Sequence, residues 1–314
     1  MRTAMPCPVG RRKSAVPCSP PTDRAGFIYP TYRAAGTVAS RDKPSPKGSH
    51  QGVAYLSSAV GGSVSTLSFE DATTKNRLSP SRRRSGGIRD KVRGFSRTSR
   101  RNFLRRLASI NRTVFRSFKG RMIFVTLTYP GEYPQDPELC KRHLKALRKR
   151  LQREFGTFAA FWRMGLQRRG AWHFHLLLFV GPSIGPIGEL RRFISSSWYE
   201  VTGKVSEGHL RTGTRVEAVK KWKEATSYVE RYMAKPEEFP EGSETGRIWG
   251  IWNGEHLPVR WQTVQVSLRD AFRIRRIYRK LAKRKGSGSL RCITVFVRHE
   301  NVVRLLEFLG YRLK

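Results

Sequence analysis

The stretch WHFHLLLFV, residues 172–180, places two histidines at the start of a run of apolar residues. Because side chains alternate between the two faces of a strand, His173 and His175 point to one face and Phe174 to the other. Neutral imidazole is the commonest metal ligand among protein side chains. The stretch therefore predicts a buried strand that presents half of a metal site. A single histidine in a strand is more often structural, so a third ligand and a nucleophile are needed to support this interpretation.

The segments on either side of this strand predict an α+β fold. Residues 122–129 are rich in β-branched and aromatic side chains, which favours a strand, and residues 137–155 carry leucines at helical spacing. Residues 158–167 form a further strand, joined by a tight turn to the histidine strand as a hairpin. The later patterns predict a helix at 189–200, a strand at 209–219, a helix at 222–235 and a short strand at 261–267. Sequential antiparallel pairing, with helices on one face, is the simplest arrangement of these elements.

The sequence divides into four regions by composition. Residues 1–95 are rich in Ser, Pro, Gly, Thr and Arg without sustained apolar periodicity, so we expect a disordered basic N-terminal region. Residues 96–120 carry apolar side chains at helical spacing among arginines and predict a basic amphipathic helix. The elements described above form one folded domain at 121–268. Residues 269–314 predict a basic helix, a Gly-Ser linker and a small strand and helix.

The chain is strongly basic, with 62 Lys and Arg against 23 Asp and Glu among 314 residues and a formal net charge of +39. Such a charge favours a polyanionic partner, above all nucleic acid. No apolar run approaches the roughly 20 residues that span a bilayer, and no secretory signal is found, so we expect a cytoplasmic protein without membrane contact. The four cysteines form no close pair and are expected to be reduced thiols. Charge alone does not distinguish an enzyme from a nucleic-acid-binding protein.

Two tyrosines four residues apart supply a candidate nucleophile. On a helix, Tyr228 and Tyr232 lie one turn apart on the same face, and Lys235 shares that face. A cation beside a phenol favours the phenolate, whose ordinary pKa of about 10 otherwise disfavours attack at neutral pH. Attack of a phenolate on a phosphodiester gives a covalent phosphotyrosine. Tyrosines at this spacing are more often a packed stripe, and the lysine is what favours the catalytic interpretation.

Three motifs in this order resemble those of the HUH endonuclease superfamily, specifically the rolling-circle replication initiators (Rep proteins) of bacterial plasmids and small single-stranded DNA phages. The first motif is FVTLTY at 124–129, the second is QRRGAWHFH at 167–175, and the third is YVERYMAK at 228–235. Val216-Glu217 followed by Trp222, and GRIWG at 246–250, are further matches. The resemblance covers roughly residues 121 to 265 and none of the tails.

The resemblance implies an antiparallel sheet of about five strands with helices packed on it, related to RNA-recognition-motif folds. The two histidines would bind Mg2+ or Mn2+. Tyr232 would cleave one strand of single-stranded or origin DNA, leaving a 5′-phosphotyrosine bond and a free 3′-hydroxyl for a host polymerase. Tyr228 would make the second transesterification that ends a round, and Lys235 would position or neutralise the phosphate.

Further partners follow from the same resemblance. The chain lacks the GxxxxGK[ST] phosphate loop, so a host helicase in the bacterial cytoplasm would separate the strands. We also expect DNA contacts from arginines within or beside the motifs, namely Arg168, Arg169, Arg231 and Arg247.

One position departs from the family pattern. Many relatives carry a carboxylate as third metal ligand on the strand before the turn, where this chain has Gly165. Gln167 lies two residues on, hence on the same strand face, and its amide oxygen or a water is our first hypothesis for the third ligand. The second hypothesis is loss of metal binding, which would leave a degenerate DNA-binding protein.

Two other functions fit part of the sequence. A paired-tyrosine transposase shares the motif order and the spacing of the tyrosines, whereas conjugative relaxases place the tyrosine before the histidines. A non-catalytic basic nucleic-acid-binding protein accounts for the charge but leaves the ordered motifs unexplained.

Overall fold

The computed structural model describes residues 52–71, 94–113, 121–182, 184–237, 239–240, 245–282 and 292–311. Within these ranges the chain is α+β with two antiparallel sheets, which confirms the predicted fold class. The strands are β1 (Gly52–Ala59), β2 (Ser65–Asp71), β3 (Arg121–Leu127), β4 (Phe158–Leu166), β5 (Trp172–Val180), β6 (Thr214–Val219), β7 (Trp249–Trp252), β8 (Trp261–Val266) and β9 (Cys292–Val295). The α-helices are α1 (Arg97–Ala108), α2 (Pro137–Phe155), α3 (Ile187–Val201), α4 (Glu207–Thr212), α5 (Trp222–Tyr228), α6 (Leu268–Leu281) and α7 (His299–Phe308). A π-helix, Val229–Met233, follows α5 directly, and a short 3-10 helix spans Gly254–His256.

The first sheet has five strands in the order β6-β3-β5-β4-β7, and all neighbouring strands are antiparallel. The histidine strand β5 lies at its centre. In this register Thr126 of β3 is opposite His175, and Gly165 of β4 is opposite His173. The hairpin of β4 and β5 and the five-stranded antiparallel sheet agree with the prediction.

Helices cover both faces of this sheet, whereas the sequence suggested one face. On one face Phe174 packs against Trp198 of α3, with ring centroids 6.1 Å apart. On the other face Phe103 of α1 packs against Phe161 of β4 at 5.8 Å. Because β5 is paired along both edges and covered on both faces, its residues after the histidines form an unbroken apolar run.

The second sheet has four strands in the order β8-β1-β2-β9, and α6 and α7 pack on one of its faces. Its core is a hydrophobic cluster of its own, consisting of Ala54, Leu56, Leu67, Val264, Val266, Ala271, Ile274, Tyr278, Ile293, Val295, Val302, Leu306, Leu309 and Tyr311. The helix α1 connects the two sheets. The Ser63 amide in the β1–β2 turn donates to the Ala108 carbonyl at 2.7 Å, and the Trp249 indole of β7 donates to Ser99 Oγ at 2.7 Å.

The second sheet corrects three expectations. The strands β1 and β2 lie within residues 1–95, which we expected to be disordered, while 1–51 and 72–93 lie outside the described residues. The strand β8 was expected to belong to the 121–268 domain, but it pairs with β1, and the fifth strand of the first sheet is β7 instead. The strand β9 and helix α7, expected as a small extension, complete the second sheet and its helical layer. These strands were missed because their polar positions are Ser and Thr, which in isolation are typical of loops.

Two helical segments also differ from expectation. The strand predicted at 209–219 is the short helix α4 followed by β6, since Ser206 caps α4 by accepting a hydrogen bond from the His209 amide at 3.2 Å. The helix predicted at 222–235 ends at Met233, with its last turn a π-helix. The basic helix predicted within 96–120 is α1, and residues 114–120 lie outside the described residues. In the ranges that the structure describes, none of the helices combines the length and apolar composition required to cross a membrane.

Candidate active site

The two histidines of β5 converge on one point of the first sheet. Their Nε2 atoms lie 3.0 Å apart, and Thr126 Oγ1 lies 3.1 Å from the Nδ1 atom of His175. Burial, together with the nearby charge of Arg163, lowers the pKa of His173 to about 4. Burial, together with His173 and Arg163, lowers the pKa of His175 to about 3. Both imidazoles are therefore neutral at pH 7 and carry the lone pairs that metal ligation requires.

The histidine pair fits two adjacent positions on a divalent cation. Two ligands at right angles on a cation with bonds of about 2.1 Å lie about 3.0 Å apart, which matches the Nε2 separation of 3.0 Å. The buried Nδ1 atom of His173 has no hydrogen-bond partner among the described residues. Across the same residues, however, no group of three or more His, Cys, Asp or Glu side chains is arranged to hold a metal. The donors present are thus two nitrogens, and a third protein ligand is not preformed.

The structure does not bring Gln167 to the histidines. Its Oε1 atom accepts a hydrogen bond from Arg169 Nε at 2.9 Å, and Gln167 lies beyond the end of β4, where strand alternation no longer holds. Gly165 lies directly opposite His173, as the alignment predicted. A Cβ atom at Gly165 would approach His173 Cε1 to 2.8 Å, so any side chain at this position would collide with the imidazole. The glycine is therefore required by the position of His173.

Sequence reasoning missed a buried ion pair beside the histidines. Arg163 of β4 lies opposite His175, is only 2% exposed, and donates from Nη2 to Glu237 Oε2 at 2.6 Å. Its Nη1 atom donates to the Tyr232 carbonyl at 3.0 Å, which ties the sheet to the tyrosine helix. The alternation of β4 could have placed Arg163 on the histidine face, because it lies two residues before Gly165. Glu237, by contrast, lies after the last helical turn and gives no local signal.

The two tyrosines share a face, as predicted, but their surroundings differ. Their ring centroids are 4.4 Å apart. Tyr232 is 43% exposed, and its ring centroid lies 5.8 Å from that of His175. Tyr228 is half-buried, its ring packs against Phe124, and its hydroxyl donates to Glu217 Oε2 at 2.8 Å. The exposed phenol next to the histidines is thus Tyr232, whereas Tyr228 is held in a hydrogen bond.

Glu217 determines the state of Tyr228. Burial, together with the hydrogen bond and the charge of Glu217, raises the pKa of Tyr228 above its ordinary value. Although burial acts to raise the pKa of Glu217, the hydrogen bonds from Tyr228 and Arg215 outweigh it and lower this pKa. Glu217 is therefore a carboxylate at neutral pH, and Tyr228 stays protonated as long as the hydrogen bond persists.

The predicted cations are placed less closely. Lys235 lies beyond the end of the π-helix and is exposed, so it does not share the tyrosine face by helical geometry. Arg231 donates to Ser227 Oγ at 3.0 Å on the exposed side of the helix. Arg169 is fastened to the carbonyls of Tyr129 and Pro130, at 2.6 and 2.8 Å. Arg168 and Arg247 are exposed, so both are free to meet solvent or DNA.

Residues 122–237 match the family model of the replication-associated protein ORF2, and no curated protein matches the chain. The matched segment contains both histidines, both tyrosines, and the Arg163–Glu237 and Glu217–Tyr228 pairs. It excludes the second sheet and its helices. Through this segment the chain is similar to replication-associated proteins, which supports a role as a replication initiator with DNA as its partner.

Proposed function

We propose that this chain is a rolling-circle replication initiator that nicks one strand of origin DNA through Tyr232 and rejoins it at termination. The observation that carries the proposal is the position of Tyr232: its ring lies 5.8 Å from that of His175 and is 43% exposed, beside two neutral imidazoles. The nucleophile and the candidate metal ligands come from segments more than fifty positions apart, so their meeting is a property of the fold.

The reaction is a transesterification. The Tyr232 oxygen bonds to the phosphorus as its proton is lost to solvent, and the bond from phosphorus to the 3′-oxygen breaks. The 3′-oxygen takes up a proton and becomes a free hydroxyl that a host polymerase can extend. The energy of the phosphodiester is kept in the 5′-phosphotyrosine, so joining needs no nucleotide hydrolysis.

Mg2+ or Mn2+ would be held by His173 and His175. When bound, the ion supplies Lewis-acid polarisation of the scissile phosphate. The rest of the site orients the two phenols: Phe124 supports the ring of Tyr228, and Arg163 holds the carbonyl of Tyr232. Exposed cations at Lys235, Arg168 and Arg247 would attract the DNA backbone.

The two tyrosines would act in sequence. Tyr232 is exposed and makes the first cleavage. Tyr228 donates to Glu217 at 2.8 Å, so it enters the reaction only when this hydrogen bond is broken or its proton passes to the carboxylate. This asymmetry supports Tyr228 as the nucleophile of the terminating transfer.

The test is covalent attachment of DNA to the purified full-length chain. A pool of random single-stranded oligonucleotides is incubated with the protein and Mn2+, and adducts are separated on denaturing gels and sequenced. We expect adducts with wild-type protein and with the control Tyr199→Phe, whose hydroxyl bonds to the Lys204 carbonyl on α3. We expect none with Tyr232→Phe, and a strong loss with His173→Ala.

Three results would contradict parts of the proposal. An adduct formed by Tyr232→Phe would move the nucleophile to Tyr228. Equal activity of wild type and His173→Ala would remove the metal role. DNA binding without any adduct would favour a non-catalytic nucleic-acid-binding protein.

A further inference from the structure

The histidine face of the first sheet has a carboxylate that strand β4 does not supply. A Cβ atom at Gly165 would lie 3.1 Å from Glu237 Oε2 and 3.2 Å from His173 Nε2. One point above the glycine is thus flanked by a carboxylate oxygen and by an imidazole nitrogen. The space that a side chain at position 165 would occupy is filled by Glu237, which reaches it from the segment after the π-helix.

Glu237 is held in place from three sides. Its Oε1 atom accepts from the Leu166 amide at 2.6 Å, its Oε2 atom accepts from Arg163 Nη2 at 2.6 Å, and its own carbonyl accepts from the Phe95 amide at 2.8 Å. A carboxylate oxygen has more than one lone pair, so Oε2 can accept from Arg163 and still face a cation. The side chain is 20% exposed, which leaves it accessible from the histidine side.

The charge of Arg163 makes a carboxylate necessary at this point. Arg163 is buried and close enough to lower the pKa of both histidines, so it also opposes a second cation between them. Two neutral imidazoles beside an uncompensated guanidinium would be a poor site for Mg2+ or Mn2+, which prefer oxygen ligands. Glu237 offsets the charge of Arg163 and adds an oxygen donor.

We propose that Glu237 supplies the carboxylate of the metal site, in place of the strand residue that Gly165 replaces. The inference rests on the proposed metal-dependent function and adds a ligand to it. Glu237 lies five residues after Tyr232, so the same segment carries the nucleophile and the acidic ligand. Metal binding and the position of the tyrosine helix are therefore coupled through Arg163, which contacts both.

A purely structural role makes a different prediction. The Arg163–Glu237 pair would then only fasten the segment after the π-helix to β4. Loss of Glu237 would lower stability, because a buried guanidinium would lose its partner, but the affinity for metal would rise or stay the same. Metal affinity measured without DNA distinguishes the two roles.

The experiment is titration of the full-length protein with Mn2+, with free Mn2+ followed by its electron paramagnetic resonance signal. We expect Glu237→Gln to weaken Mn2+ affinity by about ten-fold or more. The matched control Glu230→Gln removes one carboxylate from the exposed side of the same helix and should bind like wild type. Wild-type affinity in Glu237→Gln would overturn the inference.

A second measurement does not depend on the folding of a variant. Wild-type protein loaded with Fe2+ and treated with ascorbate and peroxide is cut near the bound ion. Cuts at both 173–175 and 235–238 support the inference, and cuts at 173–175 alone overturn it. His173→Ala separates the two proposals: unchanged Mn2+ affinity in this variant contradicts the proposed function, whereas its loss together with wild-type affinity in Glu237→Gln contradicts only the role of Glu237.

Discussion

The two sheets of this molecule bury their polar groups differently. In the four-stranded sheet the buried polar groups bond to each other: Tyr278 donates to Ser65 Oγ at 2.7 Å, and Tyr311 donates to Asp270 Oδ2 at 2.9 Å. In the five-stranded sheet, His173 Nδ1 and Arg163 Nε are buried without a hydrogen-bond partner among the described residues. A buried polar atom without a partner costs about 1–3 kcal/mol, so it persists where another requirement maintains it. The comparison indicates that the four-stranded sheet is a scaffold, and that the five-stranded sheet carries the chemistry.

The largest expected effect tests the asymmetry within the five-stranded sheet. We expect Tyr232→Phe to lose covalent attachment to DNA by about a thousand-fold or more, because the nucleophile is removed. Tyr228→Phe should still form the first adduct but fail to transfer it when a second oligonucleotide of the same sequence is added. The measurement is the rate of adduct formation and of release to the second strand. Equal loss of the first step in both variants would contradict the division of roles.

A core substitution in the four-stranded sheet should change stability and leave chemistry intact. Leu67 is fully buried in that core, and Leu67→Ala should lower the free energy of unfolding by about 2–5 kcal/mol. Urea unfolding measures the change, and adduct formation per folded molecule should match wild type. A folded Leu67→Ala protein without adduct formation would show that the second sheet takes part in the reaction.

The histidine pair should make stability depend on pH. The pKa of His173 is lowered to about 4 and that of His175 to about 3, whereas the unfolded chain has histidines with a pKa of about 6.5. Above about pH 6.5 both states are neutral, and below it only the unfolded chain takes up these protons. In metal-free buffer the free energy of unfolding should therefore fall steadily from pH 6.5 towards pH 4. The double variant His173→Asn, His175→Asn should show a shallower fall, and an unchanged slope would assign the effect to other groups.

The smallest expected effect concerns the outer face of the four-stranded unit. The helix α6 exposes Arg269, Arg273, Arg276 and Lys280, with Phe272 among them at 50% exposure. If this face contacts the phosphate backbone, Arg276→Ala should reduce the slope of log affinity against log salt by about one. The loss of affinity should be similar for every DNA sequence, as measured by fluorescence anisotropy. An unchanged slope would place the contacts elsewhere.

The patterns that predicted the fold are local in the sequence. The apolar run of β5, the leucines of α2 and the turn between β4 and β5 each depend on neighbouring residues, so the five-stranded sheet could be predicted. The four-stranded sheet could not, because Ser57 of β1 pairs with Thr263 of β8 across 206 positions. Nothing near either strand indicates its partner, and the Ser and Thr between the apolar positions are also typical of loops.

The candidate site divides in the same way. The sequence by itself determined that His173 and His175 share a strand face and that Tyr228 and Tyr232 share a helix face, because these relations follow from the periods of strand and helix. Only the tertiary structure decided which tyrosine is free, since the hydrogen bond from Tyr228 to Glu217 joins two separate elements. The end of the π-helix at Met233 removed Lys235 from the tyrosine face. The placement of Glu237 over Gly165 depends on a contact across 71 positions, between Glu237 and the Leu166 amide, and chain folding alone creates such contacts.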